Sequence, residues 1–159
     1  MPRAGSERLT RSAPVTTAIE AAVSSILTIE TAGEGFVDFT REVHSFVAEC
    51  GIASGVVTLF VRHTSASLTI QENADPDVLK DLLTVLHRLA PRDGGWLHDS
   101  EGPDDMPAHI RTMLTSTSLQ VPLIDRRLAL GTWQGIYLIE HRARPHRREI
   151  VLQFIGSIA

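Results

Sequence analysis

The chain has 159 residues, 43% of them hydrophobic, a formal net charge of −4 and a single cysteine, Cys50. That is the size and composition of one globular domain able to bury a core, which excludes an intrinsically disordered chain. The acidic balance argues against a nucleic-acid binder, and one cysteine excludes an internal disulfide or a thiolate metal cage. No run is long and apolar enough to span a membrane, and Glu20 interrupts the only candidate for a secretory apolar segment, so a cytoplasmic protein without a membrane partner is expected.

In chain order, residues 1–18 read as a polar, loose tail and 19–159 as a single domain. "AVSSILTIET" has the β-branched richness of a strand. "GEGFVDFTREVHSFVAECG" reads as a turn and a helix, with Phe39, Val43, Phe46 and Val47 on one face and Gly51 ending it. "GVVTLFVRH" is a short buried strand, and "ASLTIQEN" a second strand after a polar break. "ADPDVLKDLLTVLHRLAP" is the clearest helix. Asp75 caps it, Pro76 fits its first turn, Val78, Leu82, Val85 and Leu89 form its apolar stripe, and Pro91 stops it. "RDGGWLHDSEGPDD" is loop, and "DMPAHIRTML" a short helix with Pro107 in its first turn. Three strands close the chain: "TSLQVPLI", "TWQGIYLIEH" with Trp133, Gly135, Tyr137 and Ile139 alternating, and "REIVLQFIG". Strands in pairs and triples separated by two long helices predict an α+β fold with mainly antiparallel sheet.

Four stretches carry residues capable of chemistry. In "RHTSAS" the hydroxyls of Thr64, Ser65 and Ser67 can receive a phosphate with Arg62 as a nearby cation, and His63 can act as ligand or base. A tight turn satisfying its own backbone is the alternative, and the commoner one. In "HDSEGPDDMPAHIR", Asp105 and His109 are four apart and share a face if the segment is helical. Asp105 can instead cap that helix. His63, His98 and His109 together have the composition of an open zinc site, with Asp99 or Asp105 supporting the ligands or moving protons. Arg111 either receives an anion or salt-bridges an acid. In "LGTWQGIYLIEH", Trp133 can floor a flat ring, Gln134 can hydrogen-bond it, and Glu140 with His141 adds an acid and a base; a core tryptophan and a paired strand end are the alternative. "HRARPHRRE" carries Arg142, Arg144, Arg147 and Arg148, and a solvated hairpin turn is its leading reading.

"HTSASLTIQENADPDV", "HDSEGPDDMPAHI" and "LGTWQGIYLIEHR", with "GEGFVDFT" near the start, closely resemble the YjbQ family, whose members are called secondary thiamine-phosphate synthase enzymes. The resemblance runs from the first predicted strand to the end and leaves only the tail outside. It implies an α+β fold with antiparallel strands in a sandwich-like arrangement, and a homotrimer with sheets packed around the threefold axis. It also implies a weak activity that joins a hydroxymethylpyrimidine diphosphate to a thiazole phosphate and releases pyrophosphate. Arg62, Arg111 and Arg142 stand near the motifs as cations for such phosphorylated substrates.

The site residues drawn from motifs and resemblance together are His63, Asp99, Asp105, His109 and Glu140 for catalysis, and Arg62, Thr64, Ser65, Ser67, Arg111, Trp133 and Gln134 for substrate or phosphate. A divalent cofactor, zinc or magnesium, is expected on His63, His98 and His109. Two other functions compete with the synthase: a metal-dependent hydrolase of a small phosphorylated or carbonyl substrate, and a trimeric module that binds a small anion without turnover. For the family's site, a position between subunits, with three equivalent sites per trimer, is expected.

Overall fold

The computed structural model describes residues 9–159. Of the tail assigned to residues 1–18, residues 1–8 lie outside the described residues, and residues 9–20 take no regular secondary structure. The elements that follow are β1 (Ala21–Thr31), β2 (Gly35–Asp38), α1 (Thr40–Glu49), β3 (Ile52–Val61), β4 (Ala66–Glu72), α2 (Pro76–Leu89), α3 (Asp105–Leu114), β5 (Ser118–Ile124), β6 (Arg127–Leu128), β7 (Gln134–Glu140) and β8 (His146–Ile158). They build a five-stranded sheet in the order β1-β8-β3-β5-β6 and a three-stranded sheet in the order β2-β7-β4, antiparallel throughout. Among the described residues no helix is long and apolar enough to cross a membrane.

One core joins both sheets and α1. Val57, Leu59, Val121, Leu123, Leu152 and Phe154 come from the larger sheet, Leu68, Ile136 and Leu138 from the smaller, and Phe39, Val43, Phe46 and Val47 from α1 and its start. The predicted face of α1 is therefore the buried one, and Gly51, at φ +60°, supplies the left-handed residue that ends it. The α+β class and the antiparallel pairing follow the sequence reading.

Several details differ from it. The turn before α1 contains a strand, β2, which pairs with β7. β7 lies between β2 and β4, so Ile136 and Leu138 are buried as fully as Tyr137 and Ile139, and no alternation survives. β8 starts at His146, inside the predicted arginine turn, because Arg147 and Arg148 pair with Glu30 and Ile29 of β1. β6 is a two-residue strand that no periodicity could announce. The third helix is no shorter than the first, each having 10 residues, and only α2, with 14, is long. Asp75 caps α2 as expected, accepting from the Asp77 amide at 2.9 Å. Its stripe, however, is only partly covered in the single chain: Val78 and Leu82 are half-buried, Val85 is 46% and Leu89 60% exposed, and Leu86 alone in the helix is buried. A helix signalled by its own periodicity need not present that face to its own chain.

Two crossings between the sheets organise the functional end. Arg62–Ser65 carries the chain from β3 to β4, and residues 141–145 carry it from β7 back to β8. Backbone hydrogen bonds pin them together, from the His141 amide to the Ser65 carbonyl (3.3 Å) and from the Arg62 amide to the Glu149 carbonyl (3.1 Å). The C-terminal end of α3 is tied alongside by the Leu68 amide, which donates to the Ser116 carbonyl at 2.6 Å.

Candidate functional site

α3 begins on a pair of acids that do different work. Asp104 holds the N-cap position without a side-chain cap bond. Its Oδ2 accepts instead from Arg142 Nε at 3.0 Å and from the Ala143 amide at 2.9 Å. Asp105 is the first residue of the helix, so the alternative that its carboxylate is spent on capping does not hold. Arg142 Nη1 donates to Asp105 Oδ1 at 2.5 Å, and Nη2 to the Glu101 carbonyl at 2.9 Å. One guanidinium from the 141–145 crossing thus fixes three points of the loop that enters α3.

The other oxygen of Asp105 gathers the histidines. Oδ2 lies 2.5 Å from His98 Nε2 and 3.3 Å from His109 Nε2, the second by the predicted four-residue spacing on one helical face. The imidazole rings meet edge to face with centroids 5.4 Å apart. Asp105 is buried, while His98 is 41% and His109 35% exposed at the side chain, so the cluster has a closed floor and an open mouth. Burial pushes the Asp105 carboxyl up, but the His98 hydrogen bond and the Arg142 charge outweigh it and hold the group below the usual carboxylate range. His98 is raised in turn, first by its hydrogen bond to Asp105.

Among the described residues, these three donors form the group whose geometry could take a metal ion: their ligand atoms lie within 4.8 Å of one another. Donors around a tetrahedral zinc stand about 3.3 Å apart. The Asp105–His109 separation already matches, and His98 must draw back by under about 1 Å from its present hydrogen bond. Two imidazoles and one carboxylate suit zinc or a similar first-row ion better than magnesium, which takes oxygen ligands. His63 stands outside this group. Its Nε2 accepts the Glu149 amide at 2.8 Å, which occupies that nitrogen, and burial followed by the Arg148 charge lowers its pKa. It reaches the site differently: His63, Thr64, Thr112, Thr115 and Thr117 line, with His109, a cleft of about 390 Å³. His63, Thr64 and Thr117 also wall a second cleft of about 670 Å³ that includes Phe60, Arg62 and Ser65.

The remaining candidates are placed as follows. Glu140 is fully buried and receives Arg148 Nε at 2.7 Å and Nη2 at 2.5 Å, with Thr31 Oγ1 donating at 2.8 Å. Burial raises its pKa, and the Arg148 hydrogen bonds pull it net downward, so it is a structural anion with no open face. Ser65 serves the same arginine, accepting Nη2 at both its carbonyl and its hydroxyl. Ser67 is buried against His141 Nε2 at 2.8 Å and receives Thr115 Oγ1 at 2.6 Å. Arg111 is buried, with Nη1 on Glu34 and Nη2 on the Ala90 carbonyl at 3.0 Å, so the salt-bridge alternative applies. Arg62 pairs with Glu149 at 3.2 Å in the open. Asp99 is exposed and lines a further cleft together with His98. Trp133 is 64% exposed, and Gln134 turns back to accept the Gly131 amide at 2.8 Å; neither lines these two clefts. Arg147 reaches Glu30 at 3.7 Å on the surface, and the Arg144 carbonyl meets His146 Nδ1 at 2.8 Å.

Sequence reasoning missed the two residues that assemble this end, Arg142 as the loop clamp and Arg148 as the partner of Glu140. Both sit in a run whose four arginines look alike until the register of β7 and β8 separates them. It also assigned His141 no burial. That imidazole is wholly enclosed, and burial, then the Arg111 charge, push its pKa down to about 3.

Comparison with known proteins agrees with this architecture. The family described as "UPF0047 protein YjbQ-like" matches residues 25–157. A UPF0047 protein of Synechocystis sp. is 52% identical over 134 residues, 84% of this chain and 91% of that relative. The UPF0047 protein YjbQ of Escherichia coli O157:H7 is 40% identical over 132 residues, 82% of this chain and 96% of the relative. Among solved structures, a YjbQ/UPF0047 family protein of Clostridium acetobutylicum superposes with a TM-score of 0.77 at 37% identity, covering 82% of this chain and 99% of its own. A conserved hypothetical protein from Thermus thermophilus gives 0.70 at 41% identity, covering 80% and 97%. With its fold, its motifs and its matched segments all in one register, the chain belongs to the YjbQ-like UPF0047 family.

Proposed function

We propose that His98, Asp105 and His109 hold a divalent ion of the zinc type and that the chain uses it to hydrolyse a small phosphorylated or carbonyl substrate lying in the threonine-lined cleft beside His109. The observation that carries this reading is the convergence of two imidazole nitrogens and one carboxylate oxygen within 4.8 Å at a half-open mouth. Three protein ligands with a free position are the composition of a catalytic rather than a structural zinc. A bound ion supplies Lewis acidity and brings a water toward ionisation near neutral pH. The chain's own groups do the rest. Arg142 fixes Oδ1 of Asp105 and so aims Oδ2. Glu101, whose Oε2 lies 3.5 Å from His98 Nε2, is the exposed carboxylate placed to take a proton at the mouth. The hydroxyls of the cleft offer donors and acceptors to the substrate.

A second reading, weak thiamine-phosphate synthesis at the same centre, rests on the family resemblance, with the ion holding the departing diphosphate. The arginines are the argument against ranking it first: Arg62, Arg111, Arg142 and Arg148 each already face a carboxylate of the chain. A homotrimer is part of both readings. It is supported by the apolar outer face of the larger sheet, where Ile26, Phe60 and Ile155 are 53%, 47% and 38% exposed.

The test is the metal content of protein purified without a histidine tag and incubated with zinc. We expect one ion per chain in the wild type and in His63→Ala, and its loss in His109→Ala. A wild type that retains no ion overturns the hydrolase reading and leaves acid–base chemistry by the Asp105–His98 pair.

A further inference from the structure

The hydrogen-bonding groups of the cleft beside His109 are distinctive for what they lack. His63, Thr64, Thr112, Met113, Thr115 and Thr117 line it with His109, and among the described residues no lysine or arginine does. Arg62 and Arg148, which line the adjoining cleft, face Glu149 and Glu140. Thr112 is 8% exposed, and its Oγ1 has no hydrogen-bond partner, although an unmet buried hydroxyl costs stability. Thr115 Oγ1 commits its proton to Ser67 Oγ at 2.6 Å or to the Arg111 carbonyl at 2.7 Å, so it can meet a ligand only as an acceptor. His63 takes the Glu149 amide at Nε2, which puts the proton of the neutral ring on Nδ1. Burial, followed by the Arg148 charge, lowers its pKa and favours that neutral form. A phosphate in this cleft would find hydroxyls but no free cation.

We infer that the substrate of this cleft is an uncharged, hydroxyl-bearing lactone of the sugar type, and that Thr112 selects it. The inference rests on the reading of His98, Asp105 and His109 as a hydrolytic centre, and it narrows the substrate to a neutral ring. Threonine hydroxyls and a neutral imidazole exchange donors and acceptors with a polyol without stripping water from a charge. A cleft of about 390 Å³ stands at the small end of ligand sites and suits a single ring. The reaction balances with water alone. The water oxygen bonds to the lactone carbonyl carbon, the ring C–O bond breaks, and the ring oxygen takes a proton to become a hydroxyl. The resulting sugar acid ionises to solvent, and no free cation of the cleft holds it back.

Three lactones test this: gluconolactone (hydroxyls, no charge), phosphogluconolactone (the same ring with a phosphate) and δ-valerolactone (the same ring size without hydroxyls). Hydrolysis by zinc-incubated protein is followed by proton release and corrected for the spontaneous reaction. Gluconolactone is expected to show a kcat/KM about tenfold or more above each of the others, because a site that bonds hydroxyls rejects analogues lacking them. Thr112→Val is expected to lose most of the preference over δ-valerolactone, and Thr112→Ser to keep it. The valine removes an unpartnered hydroxyl and keeps the shape, so the thermal midpoint should hold or rise. A marked fall of that midpoint makes the hydroxyl structural and overturns its selecting role. Equal or faster hydrolysis of either other lactone, an undiminished preference in Thr112→Val, or zinc-loaded protein that hydrolyses none of the three overturns the inference. Zinc content read on the same preparations separates the two claims. Lost preference with zinc retained removes the substrate assignment alone, and preserved preference in a protein that holds no zinc removes the metal reading alone.

Discussion

Two histidine–acid assemblies lie at the same end of the molecule, and they have opposite characters. Around Glu140 and His141 every group faces inward: the carboxylate meets Arg148, and the imidazole meets Ser67 with its Nδ1 unpartnered. Around Asp105 the same residue types share a carboxylate floor but open to solvent through His98 and His109. The first pair comes from the end of a central strand, the second from a loop and the first turns of a helix. Burial, not residue type, separates the closed brace from the open cluster: burial holds His141 down, whereas the hydrogen bond to Asp105 raises His98.

That contrast can be broken at its strongest point first. Glu140→Ala leaves the Arg148 guanidinium buried without its partner, and is expected to cost about 3–5 kcal/mol in a urea titration. A loss below about 1 kcal/mol would mean that water reaches the pair, and the contrast fails. The next effect is a slope. Unfolded His141 takes up a proton below its ordinary value of 6.5, and the folded one not until about 3. Between those values the unfolded state binds the extra proton, so stability falls as pH falls, by up to about 1.4 kcal/mol per pH unit. His141→Gln is expected to flatten the denaturation midpoint against pH over that window. His98 works with the opposite sign: its contribution is complete below 6.5 and fades as pH rises through its raised folded value. The smallest effect is His109→Ala, whose side chain is half open; without added zinc its stability should change by under about 1 kcal/mol. A larger destabilisation would assign His109 to the brace and not to the mouth.

How much of this is readable in the sequence depends on how local the cause is. Asp75 and Pro76 start α2 and Gly51 ends α1 through contacts within a few residues, so the sequence carries them. The Asp105–His109 spacing is equally local and holds in the structure. Its partner His98 lies only seven residues from Asp105, and what is not local is the exclusion of His63. Which imidazole completes the group depends on where β3 crosses to β4, and there His63 Nε2 is already occupied by the Glu149 amide, 86 residues away in sequence. The same holds for Glu140, Arg111 and Arg142, whose burial and pairing follow from sheet register and from the docking of α3. The stripe on α2 misleads for a different reason: periodicity reports an apolar face and says nothing of what covers it.

β1 is hydrogen-bonded to β8 along all of Ala21–Thr31 and ends the sheet on its other side. In an antiparallel pair the amides of such a strand point alternately toward the partner and away from it. Deuterium uptake along β1 should therefore rise and fall with a period of two residues in the isolated chain, slow where an amide faces β8 and fast where it faces water. If a neighbouring chain lies along that edge, the fast positions slow down and the alternation disappears, so a single exchange profile of 11 residues reports whether the sheet continues beyond its own chain.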